Sequence, residues 1–252
     1  MHPITTISSR DNSKIKTVCS LKNKKGRTQH RQFIAEGIRV CETLIENGYK
    51  PDTVYLTKEQ FETVSEPLNN ESIIVVSQPV MEKISNSATP SGIVAVFQIP
   101  TNPEPKTLTS GLVLSNISDP GNMGTLIRTA AAMDCKSIVV INGCDPWSPK
   151  VIQATAGTIA HATIFEWTID ELIEHKQDIS LCALVVEDGK KPENINFDNT
   201  LLIVGSEAHG ITKKLLHRCD QKMTLPMPGK TESLNAAVAG SIALYLMQTK
   251  KK

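Results

Sequence analysis

The sequence predicts an α/β protein in which a smaller N-terminal α/β domain precedes a C-terminal domain built on a parallel sheet. Residues 100–105 contain three prolines and no apolar side chain, which indicates a linker because proline blocks helices and central strands. Beyond it, short apolar strands alternate with helical stretches, a pattern typical of a parallel sheet covered on both faces. With 252 residues, 40% of them apolar, the chain can bury a substantial core.

The N-terminal part alternates helix and strand. Apolar residues recur near helical spacing over residues 33–47, and Asn47 with Gly48 predicts the helix end. Three apolar runs are predicted strands, at residues 53–56, 72–76 and 93–97. The expected limits are residues 1–99 for the first domain, 100–108 for the linker and 109–252 for the second domain.

The C-terminal part is richer in strands. Its five strand candidates are residues 112–116, 137–141, 181–186, 201–204 and 222–225. A final helix is predicted over residues 234–247, with Ser233 placed to cap it. This helix is apolar nearly all round, so we expect it to be buried, in part against another subunit.

Basic residues concentrate near the N-terminus, although the formal net charge is only +1. Nine Lys and Arg residues lie between Arg10 and Arg39, against only Asp11 and Glu36. Such a local field attracts phosphates, but a solvated helix face beside a mobile loop is the alternative interpretation. The candidates for contact with RNA in this segment are Lys22, Lys24, Lys25, Arg27, Arg31 and Arg39.

Several function classes lack their sequence signature. The six cysteines show no CxxC pair and no metal-ligand spacing, so we expect no metal. Four of them lie in or beside apolar stretches and are expected to be core side chains. No GxGxxG or GK[ST] loop indicates a dinucleotide or ATP site. We see no signal peptide, and the longest apolar stretch, residues 236–247, is too short to cross a bilayer. We therefore expect no membrane contact and a reduced cytoplasmic enzyme, with an organellar one as the alternative.

Three predicted strands end in loops of unusual composition. Ligands of open parallel sheets bind beyond the carboxyl ends of the strands, so these loops are candidate site elements. The first loop and the helix after it read NISDPGNMGTLIR, from Asn116 to Arg128. The second loop, GSEAHG, follows the predicted strand at residues 201–204. The third, LPMPGKTESLN, begins at the end of the last predicted strand, residues 222–225.

Each loop alone is open to a structural interpretation. Residues 119–122 fit a type II turn, Asn122 could cap the next helix, and Arg128 could form a surface salt bridge. Gly205 would let the backbone approach a ligand closely, or belong to an ordinary turn. Ser233 could act only as the N-cap of the final helix.

Together and in this order, the three loops closely resemble the motifs of the SpoU (TrmH-like) family of SPOUT RNA 2′-O-ribose methyltransferases. The first motif appears as Asn116, Asp119-Pro120, Asn122, Gly124 and Arg128-Thr129-Ala130. The second appears as Gly205-Ser206-Glu207 and Gly210. The third appears as Leu225-Pro226-Met227, Gly229 and Ser233-Leu234-Asn235. Residues 33–39 (FIAEGIR) and 91–95 (SGIVA) are similar to the family's L30e-like substrate-binding domain.

The resemblance implies S-adenosylmethionine as the cofactor, a deep trefoil knot in the C-terminal domain and a homodimer with active sites near the subunit interface. The residues that it places in catalysis are Arg128, Asn122, Glu207, Ser233 and Asn235. Those that it places against the cofactor are Gly205, Leu225, Met227 and Leu234. Because a guanidinium stays protonated in proteins, we expect Arg128 to hold the phosphate beside the target ribose and to stabilise the developing alkoxide.

The resemblance also implies RNA as the partner, and DNA is excluded because it has no 2′-hydroxyl. Ribosomal RNA is the preferred substrate, since an L30e-like domain suits structured RNA, and transfer RNA is the alternative. The alternative from a different functional class is an RNA-binding protein of the same fold that has no catalytic activity. The complete set of Arg128, Glu207 and Ser233-Leu234-Asn235 argues against it.

Overall fold

The computed structural model describes residues 5–64, 72–229 and 233–250. The chain divides into two compact units, and it passes from one to the other three times. The N-terminal unit contains Met1–Pro100 together with a later segment, Asp145–Ala160. The C-terminal unit contains Thr101–Cys144 and His161–Lys252.

The N-terminal unit is built on a five-stranded mixed sheet of order β1-β4-β3-β5-β2. Its strands are β1 (Thr5–Ile7), β2 (Gln32–Glu36), β3 (Pro51–Thr57), β4 (Ile73–Val76) and β5 (Ile93–Gln98). Its first five helices are α1 (Ser13–Ser20), α2 (Lys24–His30), α3 (Ile38–Glu46), α4 (Lys58–Thr63) and α5 (Gln78–Ile84). Strand β5 runs antiparallel to both β3 and β2, whereas β4 is parallel to β1 and β3. Helices α1 and α5 contribute Ile15, Val18 and Ile84 to the buried core of this unit.

The segment Asp145–Ala160 completes the N-terminal unit although it lies between two strands of the other sheet in sequence. It contains helix α7 (Pro149–Thr155), which packs against β2. Trp147 is 5% exposed, and its ring centroid lies 5.2 Å from that of Phe33. A side chain at Gly157 would meet the carbonyl oxygen of Val40 at 2.8 Å, so the end of this segment also lies directly on α3.

The C-terminal unit carries a six-stranded, entirely parallel sheet of order β11-β9-β10-β6-β7-β8. Its strands are β6 (Gly111–Ser115), β7 (Ser137–Ile141), β8 (Thr163–Glu166), β9 (Ser180–Leu184), β10 (Thr200–Gly205) and β11 (Gln221–Met223). Its helices are α6 (Pro120–Ala132), α8 (Ile169–His175), α9 (Lys213–Leu216) and α10 (Ala236–Thr249). The α/β class and the parallel sheet predicted from the apolar strands are confirmed. The parallel register brings the carboxyl ends of the strands to one edge, where the motif loops begin.

The helix predicted over residues 33–47 is wrong at its start. Residues Gln32–Glu36 form β2, paired with β5, and the helix begins only at Ile38. Gly37 separates the two with φ of 92°, a backbone conformation that favours glycine. The apolar residues of β2 are buried on both faces of the sheet, so strict alternation was absent from the sequence.

Two local predictions about the motif loops are also wrong. Residues 119–122 form no type II turn, because Pro120 begins α6, where its fixed φ suits the first helical turn. Asp119 is the N-cap, accepting a hydrogen bond of 2.8 Å from the Asn122 N–H. Helix α10 is capped by Asn235 instead of Ser233, through hydrogen bonds of 2.9 and 3.3 Å from the N–H groups of Ala237 and Val238.

Candidate active site

The C-terminal unit contains a cavity of about 380 Å³ at the carboxyl ends of β9, β10 and β11. Its wall is largely apolar, and the four residues predicted to contact the cofactor, Gly205, Leu225, Met227 and Leu234, all line it. Ser206, Glu207, Ser233 and Asn235 add polar groups to the same wall. Apolar side chains beside exposed loop backbone suit a nucleoside, whose base stacks on the former and bonds to the latter. The lining chemistry therefore fits S-adenosylmethionine.

Gly205 lies at a closely packed point of the cavity wall. The loop after it folds back so that Ser206 and Gly210 exchange two backbone hydrogen bonds of 3.2 and 2.9 Å. A β-carbon on Gly205 would lie 2.4 Å from the carbonyl carbon of Gly210, closer than atoms can approach. Only glycine fits here, because this strand end and the returning loop share the same space.

A polar network connects the three motif loops. The Asn122 side-chain amide donates a hydrogen bond to Oε1 of Glu207. Asn235 Nδ2 in turn donates to Oδ1 of Asn122 at 3.1 Å. Glu207 and Asn235 lie 85 and 113 positions after Asn122 in the sequence. The fold therefore brings together three side chains that belong to different elements. This network brings together three of the five residues that the resemblance placed in catalysis.

Arg128 lies on α6, about two and a half turns beyond Asp119, and its side chain is exposed. It forms no ion pair or side-chain hydrogen bond with any residue that the structure describes, so the surface salt bridge considered from the sequence is not seen there. It does not line the cavity itself. A guanidinium with no partner among these residues is available to an anionic ligand.

Close packing of α6 against α10 fixes the helix that carries Arg128. Thr129 Oγ1 lies 2.9 Å from Ser241 Oγ across the two helices. A β-carbon on Gly240 would approach Leu126 to 2.5 Å and Val204 to 3.0 Å, so α10 touches both α6 and β10. Sequence reasoning missed Ser241, and nothing in the alanine- and glycine-rich pattern of α10 distinguished it.

A fourth strand exit was also missed. Residues Leu184, Val185 and Val186, at the end of β9, line the cavity. The strand itself was predicted at residues 181–186, so Val185 and Val186 were assigned to the strand and not to a loop that lines a site. Its position next to β10 in the sheet order, which the sequence does not give, is what brings it to the site.

Two of the six residues proposed to contact RNA are already occupied. Arg27 is only 4% exposed, and its guanidinium donates to Asp145 and to the carbonyl oxygen of Leu21. The ammonium of Lys22 donates to the carbonyl oxygens of Lys83, at 2.8 Å, and Ser85, at the C-terminal end of α5. Both cations therefore stabilise the fold, and we remove them from the RNA-binding set. The remaining candidates, Lys24, Lys25, Arg31 and Arg39, are exposed, and of these Arg31 donates one hydrogen bond of 3.3 Å to the carbonyl oxygen of Pro100.

Burial keeps three cysteines protonated. It raises the pKa of Cys41, Cys182 and Cys219 to about 12 in each case. Since the thiolate is the reactive form, these thiols are poor nucleophiles; Cys41 and Cys182 are core side chains, and the half-buried Cys219 packs against the core. In the described ranges, no cluster of three or more His, Cys, Asp or Glu side chains could hold a metal ion, and no helix there is both long and apolar enough to cross a membrane.

Comparison with known proteins agrees with this geometry. The family model for the SpoU rRNA Methylase family matches residues 110–245, and that for the MRM3-like substrate binding domain matches residues 12–95. An uncharacterized tRNA/rRNA methyltransferase of Synechocystis is 31% identical, covering 97% of this chain and 95% of its own. The 23S rRNA (guanosine(2553)-2′-O)-methyltransferase RlmP of Bacillus subtilis is 28% identical over 95% of this chain and 97% of its own.

A solved structure shows the same fold at lower identity. The AdoMet-bound rRNA methyltransferase from Sinorhizobium meliloti is 24% identical, with a TM-score of 0.87 over 98% of both chains. The match to the SpoU model spans more than half of the sequence, and it contains all three motif loops. The chain therefore belongs to the SpoU rRNA methylase family and is an S-adenosylmethionine-dependent RNA 2′-O-ribose methyltransferase.

Proposed function

We propose that the protein methylates one ribose 2′-hydroxyl of ribosomal RNA. The network of Asn122, Glu207 and Asn235, set beside a cavity that suits a nucleoside, is the observation that carries the proposal. RlmP, which is similar along nearly its whole length, is named as a 23S rRNA enzyme, and this favours ribosomal over transfer RNA. DNA should not be methylated, because it has no 2′-hydroxyl.

The chain's own residues would hold the reactants and stabilise charge. The bound cofactor supplies a methyl group on a sulfonium, ready for direct transfer to an oxygen nucleophile. Gly205, Leu225, Met227 and Leu234 would hold the adenosine against the cavity wall. Arg128 would hold the phosphate next to the target ribose and stabilise the developing alkoxide. The network and Ser233 would orient the ribose, and a phosphate oxygen or water would accept the proton.

Mapping of ribose methylation tests this function. Total RNA from cells with and without the gene is compared by 2′-O-methyl sequencing, and the purified protein is given labelled S-adenosylmethionine with the unmodified ribosomal RNA. We expect one ribosomal position to lose methylation and the same position to be labelled in vitro. Methylation lost only from transfer RNA would replace the proposed substrate, and unchanged methylation in both experiments would refute the activity.

Substitution of Gly205 tests the cavity wall. Gly205→Ala should weaken cofactor binding about tenfold or more, since its β-carbon forces the Ser206–Gly210 loop to move and displacements near 1 Å carry costs of this size or larger. Calorimetric titration with S-adenosylmethionine measures the effect. Gly229→Ala is the matched control, because a β-carbon there meets no atom within 4 Å among the residues that the structure describes. Equal affinities of the two variants would show that this wall does not bind the cofactor.

We propose a homodimer formed through α10. Four apolar side chains on or just before this helix are spaced along one side and are 41–56% exposed: Leu234, Val238, Ile242 and Tyr245. A contiguous apolar surface of this kind is typical of a protein interface. A dimer interface also explains why the sequence of α10 is apolar on nearly all sides, although a single chain buries only part of the helix.

Charged substitutions test the proposed interface. The double variant Val238→Asp, Ile242→Asp should be monomeric in analytical ultracentrifugation, because two buried carboxylates would each lose their hydration. Val238→Ile keeps the apolar surface and should stay dimeric. A wild-type protein that sediments as a monomer at micromolar concentration would contradict this assembly.

We further propose that residues 1–99 bind RNA, that residues 100–108 link the domains and that residues 109–252 catalyse, apart from the segment Asp145–Ala160, which belongs to the N-terminal unit. The separate family matches to residues 12–95 and 110–245 support it. Family membership also leads us to propose the deep trefoil knot for the catalytic part. A reducing compartment, the cytoplasm, suits the free thiols of Cys41 and Cys182, which are buried, and of Cys219, which is half-buried.

A further inference from the structure

The N-terminal unit has a cavity of its own, of about 590 Å³. Three segments of this unit form it: the end of β2 with Gly37, the loop between α5 and β5, and helix α7. Two of these segments contain the FIAEG and SGIVA stretches, and the third belongs to the segment Asp145–Ala160. Helix α7 lies outside the residues that match the substrate-binding domain, so the cavity is a composite of separate parts of the chain.

Glu36 holds the rim of this cavity in place. Its carboxylate accepts hydrogen bonds from Ser85 Oγ at 2.6 Å, from the Asn86 N–H at 2.9 Å and from the Ser91 N–H at 3.5 Å. The loop from Ser85 to Ser91 is therefore fixed at both ends by one side chain. Because a preformed rim loses little entropy on binding, it is suited to a ligand.

The lining of the cavity combines hydrogen-bonding groups with one cation. The exposed polar side chains are those of Asn86, Ser87, Thr89, Ser91 and Gln153. Lys150, also exposed, forms no ion pair with any residue in the described part of the chain. Pro149 and Ala154, both half-buried, supply most of the apolar surface between them. This combination matches a nucleotide, which has a phosphate, a hydrogen-bonding base edge and flat apolar faces.

We propose that this cavity binds one unpaired nucleotide of the RNA substrate, a proposal that rests on the function proposed above. Lys150 contacts its phosphate, while Asn86 and Gln153 bond to the base edge. The volume lies within the range of small-molecule sites, about 300–1,000 Å³, and is far too small for a duplex. Sequence-specific RNA recognition usually targets such unpaired bases, whose edges are free. The site would thus let the N-terminal unit distinguish one RNA loop from another.

Salt dependence tests the phosphate contact. The probe is the in vitro transcribed, unmodified large-subunit ribosomal RNA of the source cell, titrated with full-length protein at several salt concentrations. Lys150→Ala should lower the slope of log affinity against log salt by about one, as expected for one lost phosphate contact. Lys58→Ala removes an exposed lysine of the same unit that lies outside the cavity, and its slope should equal that of the wild type.

Polar variants test the base contacts separately. The double variant Asn86→Ala, Gln153→Ala should bind the transcript about fivefold or more weakly, with an unchanged salt slope, because it removes hydrogen bonds but no charge. Its affinity for S-adenosylmethionine should not change. Cross-linking of a 4-thiouridine-substituted transcript to the wild-type protein should label peptides that contain residues 85–91 or 149–154, a result that depends on no variant.

The outcomes separate this inference from the proposed function. Wild-type slopes for Lys150→Ala, wild-type affinity for the double variant and cross-links only elsewhere would overturn the nucleotide site while methyl transfer persists. A wild-type protein that binds the transcript through these residues but transfers no methyl group would leave the site standing and refute the proposed activity.

Discussion

Arg128→Ala is expected to lower the rate of RNA methylation at least about a hundredfold while S-adenosylmethionine binding stays unchanged. The loss is that of one charge-stabilising donor in a transition state that develops an alkoxide. Cofactor affinity should be preserved because Arg128 does not line the cavity of the C-terminal unit. Single-turnover methyl transfer to ribosomal RNA measures the first effect, and calorimetric titration measures the second.

The matched variant for Arg128 is Arg128→Lys. It retains the positive charge but loses the paired donors that hold a phosphate, so it should recover only part of the rate. Since the Arg128 side chain is exposed and has no partner among the described residues, neither variant should lower the melting temperature. Turnover within a few-fold of wild type in Arg128→Ala would remove this residue from the mechanism.

Asp145→Ala should destabilise the N-terminal unit by about 3 kcal/mol or more. The side chains of Arg27 and Asp145 are 4% and 12% exposed, and their closest N–O distance is 2.6 Å. Removal of one partner from such a buried pair leaves a charge without compensation, which typically costs about 3–5 kcal/mol. The substitution also removes the acceptor of the Trp147 N–H, at 2.8 Å.

Tryptophan fluorescence gives a measurement specific to this unit. The chain has two tryptophans, and in a Trp167→Phe background Trp147 alone reports urea unfolding. The double variant Arg27→Met, Asp145→Leu should be more stable than Asp145→Ala, because apolar side chains can replace a buried ion pair. A change below about 1 kcal/mol in Asp145→Ala would show that water reaches the pair and screens it.

Some strands could be predicted because the signal for them lies in their own residues. Strand β7 coincides with its predicted residues, 137–141, since a continuous apolar run bounded by polar residues needs no partner to be recognised. By contrast, β2 was assigned to a helix, because its apolar residues also fit helical spacing and its pairing with β5 is 60 residues away in sequence. Short strands such as β1 and β8 were missed for the same reason.

The same holds for the active site, where motifs identify single residues but only the fold shows which of them are in contact. The resemblance named Asn122, Glu207 and Asn235 individually, but only the fold shows that they hydrogen-bond to one another. Charge counting failed for Lys22 and Arg27, because a basic residue in sequence looks the same whether its partner is RNA or a carbonyl oxygen of its own chain. The order of strands in the sheet, which decides what lines the cavity, has no local signature.

The assignment of Asp145–Ala160 to the N-terminal unit has a consequence for synthesis on the ribosome. The first hundred residues emerge without the segment that covers Phe33 and neutralises Arg27. They remain incomplete until β6, α6 and β7 of the other unit have also been made. The nascent N-terminal unit must therefore wait for later sequence, and the usual order in which a leading domain finishes folding before the next begins does not apply to this chain.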